Sequence, residues 1–220
     1  MEWKNDSEIF ALVRKHLFSA IVGDVLDLHG QQDQFLPQQC RPLAPDMVVV
    51  GRAMPVLEAD VFQMPSPPFG KMLEALDDLH EHEVYVAAGC APRYALWGEL
   101  MATAAMKRGA AGAVLAGYSR DTRGILMLDF PTFSYGPYAQ DQRGRGMVLD
   151  YRVPVHVNGV RISPGDILIG DVDGVVVVPR EYEADVLSMA LVQARKEKTA
   201  RTMLLDGARA QDVFTETGVL

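Results

Sequence analysis

The chain has 220 residues, of which 49% are hydrophobic and 23% are charged, with a formal net charge of −8 and a sequence pI near 5.1. This length suffices for one substantial core but not for two comfortable domains, so a single domain over residues 1–220 is predicted. The acidic balance argues against nucleic acid or an anionic membrane as the main partner, because both require clustered positive charge.

Apolar run length, cysteines and lysines indicate where the protein is located and which catalytic mechanism is disfavoured. No run is apolar over a length that could span a bilayer, and no secretory leader pattern opens the chain. Together with only two cysteines, Cys40 and Cys90, this predicts a cytoplasmic protein with free thiols. The six lysines all stand in polar contexts, which disfavours a Schiff-base mechanism.

The domain is predicted to have three segments: helices over 1–30, an α/β core over 31–179, and a helix with a tail over 180–220. Ser7 is positioned to cap the first helix and Ser19 the second.

The core opens with a strand that is predicted to begin at Met47 and to continue toward Asp60. A proline-rich loop, 65–71, then breaks regular structure. A helix is predicted over 71–79 and a strand over 83–88.

The central stretch, 97–121, is predicted to be a helix followed by a buried strand. Gly109 is placed to end the helix, and residues 112–117 form the strand. A helix and the strand that returns beside it bring their outer ends together, so Gly98 and Arg120 are expected at one sheet edge.

These two ends have the chemistry of an anion site. If the helix begins near Gly98, the backbone N–H groups of Glu99, Leu100 and Met101 fall in its unpaired first turn, where carboxylates and phosphates bind. Arg120 adds a planar donor fork that suits a carboxylate or a carbonyl oxygen. From these residues alone, a surface turn with a solvated ion pair remains an alternative.

Asp121 supplies a hard oxygen ligand beside this anion site. One carboxylate is too little for zinc, but it suits Mg²⁺ or Mn²⁺, which keep several waters and take further oxygens from a substrate.

Three other groups of side chains are predicted to be structural. The run His80–Glu83 forms a polar turn, and Asp166, Asp171 and Asp173 occupy turns, where Asp bonds to the backbone. Cys90 is predicted to be a buried thiol rather than a nucleophile. The residues between 142 and 146 are predicted to form a flexible basic loop.

The carboxy-terminal half is predicted to be a set of hairpins followed by a long helix from Glu181. Its strands are β-branched runs separated by turn residues, over 153–157, 160–162, 167–169 and 175–178.

Several short motifs occur together in a fixed order: Gly98-Glu99-Leu100-Met101, Arg120-Asp121, Phe130-Pro131, Pro164-Gly165-Asp166 and Asp171 to Val176. In this order and spacing, the chain resembles the family of 4-hydroxy-4-methyl-2-oxoglutarate aldolases and the related regulator of ribonuclease activity A. The resemblance covers roughly residues 24–201.

The resemblance implies roles for individual residues. Those matching Gly98 to Met101 and Arg120 bind a pyruvate-like substrate, Asp121 binds the divalent metal, and Glu99 holds water on that metal. Glu197 falls near an acid that reaches the site of the next subunit, with Glu181 and Glu183 as alternatives.

The order of predicted helices and strands indicates an α/β fold. The resemblance implies, more specifically, a three-layer ββα sandwich that assembles as homotrimers or homohexamers. The implied activity is that of a metal-dependent aldolase releasing pyruvate from a 4-hydroxy-2-oxo acid, with oxaloacetate decarboxylation through the same enolate. A non-catalytic regulator that binds a ribonuclease is the alternative. Loop 65–71 departs from the family pattern, so the sequence does not predict the chemical identity of the substrate's distal half.

Overall fold

The structure of the protein, a computed structural model, describes residues 3–220. The first two residues of the predicted amino-terminal segment lie outside this range. The helices of the described chain are α1 (Asp6–His16), α2 (Ser19–Leu28), α3 (Met72–Asp77), α4 (Glu99–Lys107), α5 (Thr122–Leu128), α6 (Glu183–Leu205) and α7 (Ala210–Thr217).

The strands in the same range vary from 2 to 12 residues in length. They are β1 (Arg41–Pro42), β2 (Val49–Asp60), β3 (Glu83–Ala88), β4 (Ala95–Trp97), β5 (Gly112–Leu115), β6 (Tyr118–Ser119), β7 (Thr132–Ser134), β8 (Gly146–Tyr151), β9 (Val155–Val157), β10 (Val160–Ile162), β11 (Ile167–Asp171) and β12 (Gly174–Val178).

The main sheet has the strand order β1-β7-β5-β3-β2-β11-β12, and β8 also pairs with β2. Neighbours from β2 to β7 run parallel, whereas β1, β8, β11 and β12 pair antiparallel. Two smaller pairs lie apart from this sheet: the β9–β10 hairpin and the parallel pair β4–β6.

The two faces of the sheet bury different layers. On β2, Val50, Met54 and Val56 pack with the helices, whereas Val49 and Ala53 pack with residues of the β9–β10 hairpin. This alternation follows from the two-residue period of a strand. The helices therefore form one layer, the sheet a second and the hairpin a third, which confirms the predicted three-layer α/β fold.

Both amino-terminal helix caps were predicted wrongly. Asn5 caps α1, and its side chain accepts from the N–H of Glu8, while Ser7 contacts His82. Ser19 is the first residue of α2 rather than its cap, because its hydroxyl and its N–H both donate to Asp171 at 2.7 Å. Tertiary partners thus override the local capping signal at both serines.

The sequence located most core elements within a few residues. Strand β3 matches its prediction, and β2 begins at Val49 instead of Met47. The long helix begins at Glu183, two residues after the predicted start. Strands β1, β4, β6 and β8 and helices α5 and α7 were not predicted. No helix among the described residues is long and apolar enough to cross a membrane.

One half-buried arginine ties the helix layer to the sheet. Arg52 on β2 pairs with Asp6 at the start of α1 and with Glu183 at the start of α6, and it donates to the carbonyl of Gly165. The hydrogen bond from Arg52 holds the pKa of Asp6 below its usual value.

Candidate active site

Helix α4 begins with an uncapped turn. Gly98 is its N-cap and has no side chain to accept from the backbone, and the first bond within the helix runs from the Ala102 N–H to the Gly98 carbonyl at 3.0 Å. The N–H groups of Glu99, Leu100 and Met101 therefore have no acceptor within the helix, as the sequence predicted. They point toward the helix's amino-terminal end, where an anion is stabilised.

The parallel pair β4–β6 brings Arg120 to this turn. Strand β4 leads directly into α4, β6 leads to Arg120, and the Arg120 N–H donates to the Trp97 carbonyl at 2.9 Å. Gly98 and Arg120 therefore lie together, as expected. They meet on this separate two-stranded pair rather than at the edge of the main sheet.

Asp121 approaches the backbone of Gly98 closely. A Cβ added at Gly98 would lie 2.7 Å from Asp121 Oδ2 and 3.5 Å from Arg120 Cγ, so only glycine leaves this space open. Asp121 itself adopts a left-handed backbone with φ near 55°, a conformation that Asp tolerates better than most residues. The close approach places a carboxylate beside Gly98, the residue from which α4 begins.

The guanidinium of Arg120 lies between two carboxylates. Its Nε is 3.5 Å from Asp121 Oδ2, and its Nη1 is 3.6 Å from Asp141 Oδ1. Both distances exceed those of good hydrogen bonds, so the guanidinium retains donors for a ligand.

A cavity of about 330 Å³ opens beside these groups, a size within the range of small-molecule sites. Gly98, Arg120, Asp121, Asp141 and Gln142 supply the polar part of its lining. Much of the rest is an apolar wall formed by α3, the residue Phe69 before it and the start of α4; its members are Phe69, Met72, Leu73, Leu76, Leu100 and Met101. Arg120 and Asp121 also border a shallower hollow of about 250 Å³.

Gln142 and Trp97 line the cavity, and each lies against a further buried polar residue, Glu58 and Tyr85 respectively. Gln142 is 2% exposed, and its amide donates to Glu58 Oε2 at 2.8 Å. Glu58 is 1% exposed, and its Oε1 has no hydrogen-bond partner. Burial raises the pKa of Glu58 to about 8, and the bond from Gln142 opposes that shift. The hydroxyl of Tyr85 and the indole N–H of Trp97 are also buried without a partner.

The two predicted acids lie outside this cavity lining. The side chain of Glu99 packs along Gly124 of α5, and its Oε1 lies 3.3 Å from the Thr103 hydroxyl. Glu197, on α6, lines hollows near Asp24 and Arg201 instead. Burial and Asp24 raise the pKa of Glu197, and Arg201 opposes that shift. Glu197 could therefore serve the site only from a neighbouring subunit, which stays a prediction.

Glu183 and Glu181, the alternatives to Glu197, differ in their contacts and exposure. Glu183 forms the ion pair with Arg52 described above, and its side chain is 17% exposed. Glu181 is exposed.

The groups predicted to be structural are engaged in contacts that hold parts of the fold together. Asp166 accepts from the N–H groups of Ser163 and Arg180, and Glu83 pairs with Arg152. Burial raises the pKa of the Cys90 thiol to about 12, so it is not a thiolate at neutral pH.

The donor set around Asp121 fits a hard divalent cation. The carboxylate is half exposed, and glycine at position 98 leaves the space in front of it open. Such a ligand suits Mg²⁺, which keeps most of its waters, and not zinc, which requires three or four protein ligands. Among residues 3–220, no group of three or more His, Cys, Asp or Glu side chains is arranged to hold a metal.

Some residues bordering the site were not anticipated from the sequence. Gln142 was assigned to a flexible basic loop, and nothing in its local pattern signals its burial. Glu58 did carry a signal, because it follows Met54 and Val56 at alternate, inward-facing positions of a strand. A charged residue at such a position indicates a functional or specially paired group.

Comparison with known sequences supports the family suggested by the motifs. The sequence profile of the RraA-like family, described as Aldolase/RraA, matches residues 19–177. A Halalkalibacterium halodurans protein, provisionally named a 4-hydroxy-4-methyl-2-oxoglutarate aldolase, is 31% identical over 183 residues, covering 82% of this chain and 83% of that protein. Protein DlpA of Legionella pneumophila is 26% identical over 86% of this chain, which spans only 31% of DlpA.

The fold is also found among solved structures. The structure of Streptomyces coelicolor RraAS2, described as an unusual member of the RNase ES inhibitor RraA protein family, superposes with a TM-score of 0.79 over 90% of this chain and 98% of that one. At 22% identity, this likeness concerns the fold alone.

The raised pKa of Glu58 predicts a specific dependence of stability on pH. A carboxyl whose folded pKa exceeds its unfolded pKa stabilises the fold fully below the unfolded value, and this contribution is lost as the pH rises toward about 8. The Glu58→Gln variant has no carboxyl at this position, so its free energy of unfolding does not fall in this way as the pH rises. Its free energy of unfolding relative to wild type should rise between pH 5 and pH 9, by on the order of a few kcal/mol.

Urea unfolding at both pH values measures this difference, with Glu216→Gln, at an exposed position of α7, as the charge-matched control. Parallel pH profiles for wild type and Glu58→Gln would contradict a raised pKa at Glu58.

Proposed function

This chain belongs to the RraA-like family, and we propose that it is a divalent-metal-dependent carbon–carbon lyase that releases pyruvate from a 4-hydroxy-2-oxo acid. The observation that carries the proposal is the convergence of three groups at one cavity: the free N–H groups of α4, the guanidinium of Arg120 and the carboxylate of Asp121. Relatives named as aldolases support the same chemistry. Because the chain spans only part of several relatives, the whole protein's activity is part of this proposal.

The substrate's 2-oxo acid end would be held by the α4 N–H groups and by Arg120. Asp121 would hold Mg²⁺ or Mn²⁺, which when bound supplies Lewis acidity toward the keto and carboxylate oxygens. Cleavage of the C3–C4 bond leaves the enolate of pyruvate, and the donors of Arg120 stabilise its developing negative charge. Decarboxylation of oxaloacetate passes through the same enolate, so we propose it as a side activity.

The proton of the 4-hydroxyl needs a base. No histidine lines the cavity among the described residues, so we assign this step to a water oriented by Glu99 and by Glu197 of a neighbouring subunit. This assignment requires an oligomer, which we propose to be a homotrimer or a homohexamer. The alternative function, a protein-binding regulator of a ribonuclease, predicts no pyruvate release from any 2-oxo acid even when metal is supplied.

Activity should depend on a loosely held metal. Excess EDTA should abolish pyruvate release, and Mg²⁺ or Mn²⁺ should restore it, because one half-exposed carboxylate binds such ions weakly. Thermal unfolding in the same buffers provides the control and should not change. Full activity in EDTA would remove the metal from the proposal.

The Arg120→Lys variant should lose about 10²-fold or more in kcat, because the ammonium keeps the charge but lacks the planar fork. Arg123→Lys, at an exposed position in the first turn of α5 and outside the cavity lining, is the matched control. A near wild-type kcat for Arg120→Lys would exclude Arg120 from transition-state stabilisation.

Sharing of the site between subunits predicts complementation. Asp121→Ala and Glu197→Ala should each be strongly impaired alone, because every site in either homo-oligomer lacks one acid. After random subunit exchange at equal amounts, about a quarter of interfaces pair an intact Asp121 with an intact neighbouring Glu197, so activity should recover to about a quarter of wild type. No recovery after demonstrated exchange would exclude Glu197, and Glu181→Ala and Glu183→Ala would then be tested in the same way.

A further inference from the structure

The cavity beyond the 2-oxo acid site is apolar. Met72 and Leu76 of the apolar wall are buried, at 7% and 6% exposure, while Leu73 and Leu100 are exposed at its mouth, at 62% and 78%. A ligand that occupied this space would cover Leu73 and Leu100 and gain the free energy of burying apolar surface.

The charges around the cavity also disfavour a second anion. Arg120 is the one cationic residue among the described residues that line the cavity, and it already lies between Asp121 and Asp141. The remaining polar border is Gln142, whose amide is occupied by Glu58. A carboxylate placed against the apolar wall would therefore lose its hydration without gaining a positive partner from this chain, and Glu197, which the proposed function brings from a neighbouring subunit, is itself an acid.

We propose that the substrate's distal half, the part beyond C4, is an uncharged apolar group rather than a second carboxylate. This inference rests on the proposed function and names its substrate class: aldols of pyruvate with an apolar ketone or aldehyde. The cavity volume of about 330 Å³ limits the distal group to a short branched or cyclic chain.

A pair of isosteric substrates tests the inference directly. 4-Hydroxy-4-methyl-2-oxoglutarate carries a carboxylate at C4, and 4-hydroxy-4,5-dimethyl-2-oxohexanoate carries an isopropyl group of the same shape. In both, the C3–C4 bond breaks, the 4-hydroxyl loses its proton to form a carbonyl, and C3 gains a proton to give pyruvate. The second product is pyruvate from the first substrate and 3-methylbutan-2-one from the other.

With Mg²⁺ present, kcat/KM for the isopropyl substrate should exceed that for the carboxylate substrate by about tenfold or more. A preference for the carboxylate substrate would overturn the inference and leave the proposed lyase intact. Absence of pyruvate from both substrates would overturn the proposed lyase.

Binding measurements test the apolar distal group independently of the proposed lyase activity. In calorimetric titrations with Mg²⁺ present, 5-methyl-2-oxohexanoate should bind more tightly than its isostere 2-oxoglutarate, again by about tenfold. Tighter binding of 2-oxoglutarate would overturn the inference whatever the activity.

A charge introduced into the wall should reverse the preference. Leu73→Arg changes a largely exposed side chain of α3, so folding should persist, and it should shift the ratio of the two kcat/KM values toward the carboxylate substrate by about tenfold or more. Met127→Arg, at a 78% exposed position of α5 outside the cavity lining, is the matched control and should leave the ratio unchanged. An unchanged ratio for Leu73→Arg would contradict the placement of the distal group against this wall.

Discussion

The parallel pairing of β4 with β6 is the constraint on which the candidate site depends. Each of these short strands is followed by the start of a helix, so their pairing places the first turns of α4 and α5 side by side. Trp97, at the end of β4, is buried between Tyr85 and Phe130, with ring centroids at 4.9 and 6.1 Å, which anchors the pair to the helix-side core. Glycine at position 98 then lets the two turns approach closely enough for Asp121 Oδ2 to lie beside the Gly98 backbone.

The parts of this arrangement that depend on local pattern were predictable. The period of α4, its glycine boundaries and the position of Arg120 after a buried strand are local features, and they placed Gly98 beside Arg120. The pairing partner of β6 could not be predicted, because a two-residue strand carries too little periodicity. Gln142 and the apolar wall on α3 belong to the site only through tertiary packing. The serines misassigned as caps show the same limit, since Asp171, 152 residues after Ser19, decides its role.

The buried polar groups in and next to the cavity lining depart from the rules that stabilise a core. The indole N–H of Trp97, the hydroxyl of Tyr85 and one oxygen of Glu58 all lack hydrogen-bond partners, and each such group costs free energy. The pKa of Tyr85 is raised well above its usual value, mainly by burial and also by the carboxyl of Glu58. Departures of this kind are concentrated at functional sites, where stability is given up for chemistry.

Most of the apolar wall and the groups proposed to bind the 2-oxo acid belong to different pieces of the chain. Four of the six wall members come from α3 and Phe69, which lies in the proline-rich loop, whereas Gly98, Arg120 and Asp121 are held by the β4–β6 pair. Under the proposed function, substitutions in α3 would alter which molecules are accepted without moving the groups assigned to catalysis. Specificity could then change through one surface helix while the geometry assigned to bond cleavage is kept.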